Sequence, residues 1–203
     1  MLLKFISATA VAISLTTTAF AEPTVFGQKI IVSRTADIPT ALLWRSALSQ
    51  FKTDRQYFSA LYVSDNSDFW FFPRGYHSLK VAISFGKTGC EKISEGPCSL
   101  YAISYPEGVD PNSFPSGLSN KAGKIFSGKY QRRQKDKNWG AFAISETDNF
   151  GYSFNWKTKD KAREVALKYC NDNVIEQADE DKTLGNPVTY DKCEIIHMHK
   201  PTE

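Results

Sequence analysis

A block that occurs twice, each time with its own pair of cysteines, constrains the fold of this 203-residue chain more than any other feature. The copies match at one constant offset through an opening strand. After a gap of one residue, they match at a second offset through a helix to the first cysteine. Such self-similarity predicts two supersecondary units of one architecture. The matched pairs are Phe58 with Trp139, Ala60 with Ala141, Val63 with Ile144, Ser64 with Ser145, Ser78 with Thr158, Ala82 with Ala162, and Cys90 with Cys170.

Each copy is predicted to form a strand, a turn, a second strand, a helix and a closing strand. In the second copy, residues 150–156 alternate aromatic with other side chains, which places four rings on one face of a strand. Thr158 is a suitable N-cap for a helix that is predicted to end at Cys170 and Asn171, and Ser78 is its counterpart in the first copy. The four rings are Phe150, Tyr152, Phe154 and Trp156.

The N-terminal 21 residues have the pattern of a cleavable signal peptide. Lys4 gives a basic start, residues 5–15 are apolar, and Ala19-Phe20-Ala21 is the small-x-small pattern of a cleavage site. A retained anchor is the weaker alternative, because the apolar stretch is too short to span a bilayer. We therefore expect cleavage after Ala21, a periplasmic or secreted product, and no stable membrane insertion.

The four cysteines are predicted to form two disulfides in the oxidising compartment that the leader implies. Four cysteines allow three connectivities. Only the pairing of Cys90 with Cys98 and of Cys170 with Cys193 repeats between the copies. A zinc site is disfavoured because the close Cys-x-x-Cys spacing is missing. The predicted fold class is α+β, with two tandem strand-strand-helix-strand units built on antiparallel sheet and each stapled by one disulfide.

The segment between the copies, residues 106–137, is predicted to be a linker. Its basic run from Lys129 to Lys137 invites a nucleic-acid interface, but a solvated linker is the favoured interpretation. Removing the leader with Lys4 lowers the net charge from +3 to +2, which is close to neutral. No nucleic-acid partner is therefore expected. The other segments are the signal peptide 1–21, an N-terminal strand and helix 22–56, repeat 1 at 57–105 and repeat 2 at 138–203.

The second copy carries a motif made of Trp139-Gly-Ala-Phe-Ala-Ile-Ser145, Gly151-Tyr-Ser153, Thr158, Ala162, Ala166-Leu167, Cys170 and Cys193. This order resembles a family of small exported bacterial domains of unknown function. The first copy is looser, with Ser59 in place of the glycine and Phe71-Phe72 where Gly-x-Ser would fall. The resemblance implies the fold, the disulfides and bacterial export, and it transfers no activity.

Aromatic side chains are the candidates for ligand binding. Four consecutive rings at residues 69–72 cannot all point inward from a strand, because neighbouring side chains leave on opposite faces. Rings on a rigid strand can stack on sugars or anchor a protein interface, and packing under the helix is the alternative. The candidate binding residues are Phe69, Trp70, Phe71, Phe72, Arg74, Tyr152 and Trp156.

The histidines are the remaining candidates for metal binding or catalysis. His197 and His199 would face one side of a strand, as two ligands of a metal must, but the sequence identifies no third ligand. A nucleophilic pair of His77 and Ser78 is disfavoured, since helix capping explains the serine. We therefore predict no catalytic residue, no metal and no cofactor, with His197 and His199 as weak metal candidates.

Export, a duplicated disulfide-stapled module and a surplus of aromatic residues favour a non-enzymatic binding protein of the bacterial envelope or the extracellular space. Its expected partner is a protein or a cell-wall polymer. An inhibitor or immunity protein and a secreted host-directed factor are both compatible with these features. The alternative is a small periplasmic hydrolase or metal-dependent enzyme that uses His197 and His199.

Overall fold

The computed structural model describes residues 22–36, 42–53, 57–184 and 191–202, and the signal peptide predicted over residues 1–21 lies outside them. The strands are β1 (Ile30–Arg34), β2 (Ser59–Ser64), β3 (Trp70–Phe71), β4 (Cys98–Pro106), β5 (Trp139–Ile144), β6 (Phe150–Trp156) and β7 (Glu194–His199). The helices are α1 (Leu42–Thr53), α2 (Leu79–Ser94), α3 (Asn120–Ile125), α4 (Gln131–Arg133) and α5 (Lys159–Leu184). A 3₁₀ turn covers Pro111–Ser113, and a π-helical turn at Phe126–Tyr130 joins α3 to α4.

The strands form two antiparallel sheets of related topology. The first has the order β1-β4-β2-β3 and the second the order β6-β5-β7. In each unit the first two strands are neighbours, and the strand after the helix returns to the other edge of the first strand. The predicted α+β fold with two tandem strand-strand-helix-strand units is confirmed.

The first sheet is covered by helices on both faces. Helix α2 packs on one face through Leu79 and Ala82, which contact Ala60 and Tyr62 of β2 in one core cluster. Helix α1 covers the other face, where its buried side chains meet the alternate residues of β2. Successive residues of a strand face opposite ways, so β2 supplies both cores. The second of these cores contains Ala47, Leu48, Phe51, Leu61, Val63, Phe72, Tyr101 and Ala102.

The second sheet is covered in the same way. Ala162 and Ala166 of helix α5 pack against the alanines of β5. The opposite face receives Phe126 and Tyr130 from the helical residues 120–133, which pack on Phe142. The Ser119 hydroxyl accepts from the Ala122 N–H and caps α3. Part of the segment predicted as a linker is therefore a helix that belongs to the second core, as α1 belongs to the first.

Both predicted disulfides are present. Cys90 bonds to Cys98 with a Cα–Cα distance of 6.2 Å, and Cys170 bonds to Cys193 at 6.0 Å. Each bond ties a helix to the region where the closing strand begins. Disulfides fit an oxidising compartment such as the periplasm or the cell exterior. Within the described ranges, no helix is long and apolar enough to cross a membrane.

Helix α5 is longer than the sequence motif predicts. The motif predicts an end at Cys170 and Asn171, but the helix continues to Leu184. Val174 and Ala178 lie four and eight residues after Cys170 and are buried, so the apolar face of the helix continues past the cysteine. The acidic residues of this stretch are consequently helical.

The rings of β6 do not share one face. Asn155 has a φ of 64°, in the left-handed region, and the pairing of β5 with β6 shifts register between Trp139 and Ala141. This irregularity turns Trp156 to the α5 side of the sheet, whereas Tyr152 packs on the opposite side. The prediction of one aromatic face over residues 150–156 is therefore wrong at Trp156.

The two predicted helix caps differ. The Thr158 hydroxyl accepts from the Lys161 N–H at 3.3 Å, as a capping side chain does. Ser78 occupies the N-cap position of α2 but its side chain makes no capping bond. Instead, the Leu79 N–H donates to the carbonyl of Pro115, so the chain between the units satisfies this helix terminus.

Candidate functional site

The aromatic strand of the first unit is divided between two cores. Phe72 is 7% exposed, meets Phe51 edge to face at 5.2 Å and stacks on Trp70 at 5.5 Å. The guanidinium of Arg74 lies 4.9 Å above the Phe72 ring. Phe72 is thus a core residue that supports Trp70 and Arg74.

Phe69 and Phe71 lie on the α2 side of the sheet. Both are partly buried against the core under α2, and the Phe71 ring lies directly over Gly89. Phe69, Trp70 and Phe71 each keep some exposed surface, on opposite faces of the strand. A binding role for them stays a prediction.

The two candidates of the second unit lie apart. Tyr152 stacks on Phe142 and on Phe154 at 6.0 and 6.2 Å, and the ammonium of Lys129 lies 5.4 Å from its ring. Trp156 packs on the other side of the sheet. The structure therefore does not bring Tyr152 and Trp156 into one site.

His197 sits among aromatic rings. It meets Phe126 and Tyr130 edge to face at 5.2 and 5.7 Å, and burial lowers its pKa. In the described part of the chain, no group of three His, Cys, Asp or Glu side chains is placed to hold a metal ion. His199 follows two residues later on β7, so both rings line the side of the strand opposite Met198.

His77 lies where the two units meet, and its four hydrogen bonds join three segments. The Ser119 N–H donates to Nδ1 at 2.9 Å, so the proton of the neutral ring sits on Nε2, which donates to the Asn149 carbonyl at 3.4 Å. The backbone N–H of His77 donates to the Thr147 carbonyl, and its carbonyl accepts from the Gly117 N–H. His77 therefore clamps the loop before α2 to the inter-unit chain and to the β5–β6 turn.

Burial lowers the pKa of His77 to about 4, although the hydrogen bond to Asn149 acts in the opposite direction. Next to this clamp, burial raises the pKa of the Asp148 carboxyl to about 6, while the charge of Lys121 partly offsets that effect. Both ring nitrogens of His77 are engaged by the backbone. The ring consequently has no free nitrogen with which to activate Ser78.

A cleft of about 900 Å³ opens beside His77 between the two units. Its floor is apolar, and its walls come from separate stretches of sequence, at residues 22–24, 77–81, 116–118, 144–146 and 191–196. A concave site with an apolar floor and a few polar groups is the usual form of a ligand site. The floor residues are Val81, Leu118, Ile144 and Ile196.

The cleft is rimmed mainly by carboxylates. Among the described residues, Glu22, Glu146, Asp191 and Glu194 line it together with Lys192, and one carboxylate oxygen of Asp191 is buried. Glu146 and Glu194 are exposed. The Ser145 hydroxyl is already engaged, because it shares a hydrogen bond of 2.9 Å with Thr147. The cleft therefore offers a negative rim around an apolar floor.

Sequence reasoning missed this cleft because its residues are brought together only by the docking of the two units. No local pattern marks these residues, because the lining comes from separate stretches of the sequence. No known protein family, curated protein or solved structure matches the chain. The family resemblance of the second copy accordingly stays a prediction.

Proposed function

We propose that this protein is a non-enzymatic binding protein whose cleft holds a segment of a partner protein that carries both apolar and basic side chains. The observation that carries the proposal is the apolar floor, around which the described residues place four carboxylates and the ammonium of Lys192; cleavage after Ala21 adds the α-ammonium of Glu22, and the carboxylates still outnumber the cations. Apolar side chains would be buried on the floor, and a cationic side chain would meet the rim. Charge complementarity of this kind favours encounter and selects the partner.

The architecture supports a preformed site. Ile144, Glu194 and Ile196 of the lining lie on strands of the second sheet, and Val81 lies on helix α2, which packs on the first sheet. Each of these sheets is covered by helices on both faces and closed by a disulfide. The hydrogen bonds of His77 hold the walls together at the base of the cleft. A site that needs little ordering on binding loses less affinity to conformational entropy.

The proposed place of action is the bacterial envelope or the cell exterior, after removal of residues 1–21. The disulfides support an oxidising compartment. An inhibitor of an envelope enzyme and a host-directed factor both remain compatible with the cleft.

Charge reversal at the rim tests the proposal. Wild-type protein, an E146K/E194K variant and an E176K/E180K control are immobilised and exposed to an extract of extracytoplasmic proteins. Glu176 and Glu180 are exposed on α5 and do not line the cleft, so the control changes the net charge equally. Circular dichroism first establishes that all three proteins are folded.

We expect a protein that wild type and control retain equally and that the rim variant retains about tenfold less or worse. Its affinity is then measured by calorimetry with purified components. Retention that is the same for all three proteins would contradict a ligand role for the cleft.

A further inference from the structure

The helical residues 120–133 carry exposed basic side chains beside the second sheet, and two of these reach the rings of β6. Their apolar side chains Ala122, Phe126 and Tyr130 are buried in the core. Every charged residue of the segment is a cation and is exposed to solvent, and Lys135 continues the series. We call this set the basic ridge; it consists of Lys121, Lys124, Lys129, Arg132, Arg133 and Lys135.

In the described part of the chain the ridge cations make no ion pair, although the charge of Lys121 is close enough to lower the pKa of Asp148. None of the six lies within 4.0 Å of a carboxylate oxygen there, and Asp136 is the one acidic residue between positions 111 and 139. On α2 and α5 lysines do pair with acids, as Lys87 does with Glu91 and Lys168 with Asp172. The ridge therefore has a net positive charge that Asp148 and Asp136 offset only in part.

Ring contacts hold the ammonium groups of Lys121 and Lys129, and hydrogen bonds fix the backbone, not the cationic groups, of Arg133 and Lys135. The ammonium groups of Lys121 and Lys129 lie 5.8 and 5.4 Å from the ring centres of Phe150 and Tyr152. The side chain of Asn155 accepts from the Lys135 N–H at 2.7 Å and donates to the carbonyl of Arg133 at 2.9 Å. Positions fixed in this way reduce the entropy lost when an anion binds.

We propose that the basic ridge binds an anionic polysaccharide. The helical rise predicts a separation of roughly 18 Å between Lys121 and Arg133, enough to contact several charges of one polymer. This site is distinct from the cleft, because its residues are different and are basic rather than apolar and acidic. The binding energy would come from ion pairing along the polymer and would fall steeply with salt.

Other occupants fit the ridge less well. Protein interfaces depend on exposed apolar anchors. A membrane-binding helix uses them as well, whereas basic residues alone attract an anionic membrane only by charge, a case that the vesicle titration below separates. The exposed large apolar residues of the described chain lie elsewhere, at Val25, Phe114, Tyr169 and Ile175. A nucleic acid would be an unusual partner in the oxidising compartment that the disulfides indicate.

The test compares two variants of equal net charge. A ridge variant, K124Q/R133Q/K135Q, neutralises three cations whose side chains make no hydrogen bond in the described structure. A control variant, K52Q/K80Q/K92Q, neutralises three exposed lysines of the first unit. Binding to fluorescein-labelled polygalacturonate and heparin is measured by anisotropy between 20 and about 200 mM salt. Parallel titrations use a single-stranded oligothymidine and vesicles that contain an anionic lipid.

We expect wild type and control to bind the polysaccharides alike, with affinity falling on added salt, and the ridge variant to bind about tenfold more weakly. Equal loss in both variants would overturn the proposal, since net charge alone would then explain binding. Absence of polysaccharide binding by wild type at low salt would overturn it as well. Tighter binding of the oligonucleotide or the vesicles would overturn the assignment of a polysaccharide.

Discussion

Phe71 and Gly151 occupy matching positions on strands β3 and β6. In both units the strand lies close to the helix at this position, but a different residue makes room for the contact. Phe71 pairs with Tyr62, and Gly151 pairs with Ala143 in the same register position of the second sheet. A Cβ on Gly151 would lie 2.3 Å from the backbone of α5. In the first unit the helix supplies the glycine instead, because a Cβ on Gly89 would lie 2.5 Å from the Phe71 ring. The glycine that permits the close contact is thus on the helix in the first unit and on the strand in the second.

Replacement of Gly151 by alanine should destabilise the protein by about 3 kcal/mol, at the upper end of overpacking costs, because the clash is with backbone that cannot rotate away. Urea unfolding monitored by circular dichroism measures the change. Gly27→Ala is the matched control, since nothing lies within 4 Å of a Cβ there, and it should change stability by less than about 1 kcal/mol. Similar losses in both variants would contradict the close approach of α5.

At the scale of helices and strands, the helices follow the apolar pattern of the chain more closely than they follow the boundaries that the sequence motif predicts. The spacing of Cys170, Val174 and Ala178 is visible in the sequence and is sufficient to predict the extended α5. The helix of residues 120–133 was hidden by its glycines and by the basic residues around it. Phe126 and Tyr130 are its apolar face, but only contact with β5 shows that they are buried.

The two disulfides should contribute unequally to stability. The bond between Cys170 and Cys193 closes a sequence separation of 23 residues, and that between Cys90 and Cys98 a separation of 8. Loop-closure entropy predicts losses of about 3.4 and 2.6 kcal/mol when each pair is replaced by serine. Denaturant unfolding of the two double variants checks the order. A larger loss for the Cys90 and Cys98 pair would contradict the entropic explanation, and intact mass with and without reductant verifies the bonds.

At the scale of the whole molecule, His77 determines how the two units meet. Its ring is 3% exposed and its hydrogen bonds reach the inter-unit chain and the β5–β6 turn. The ring accepts a proton in the unfolded chain near its ordinary pKa of 6.5, but in the folded protein only near 4. The stability that depends on neutral His77 is therefore complete above pH 6.5 and is lost as the pH falls towards 4. Asp148, whose pKa is raised to about 6, acts in the opposite sense over this range.

The His77→Asn variant tests the clamp. Asparagine can still accept from the Ser119 N–H but cannot reach Asn149, so we expect a loss of about 2 kcal/mol at pH 7.5. At pH 4.5 the difference from wild type should shrink by about 2 kcal/mol, because wild type alone suffers the protonation penalty. Urea unfolding at both pH values measures it, and Asp148 cancels in the comparison. A difference that is the same at both pH values would contradict a neutral, buried His77.

The sequence by itself determined the repeated unit, its α+β class and the cysteine pairing, because each depends on periodicity and spacing along the chain. Only the tertiary structure decided which aromatic rings are buried, where Trp156 turns and how the cleft is assembled. Strand alternation assigns side chains to two faces but does not show that helices cover both. A single residue in the left-handed conformation, Asn155, places Trp156 on the face opposite to the one that alternation predicts. The cleft depends on five distant stretches that meet through His77, and such contacts leave no local pattern in the sequence.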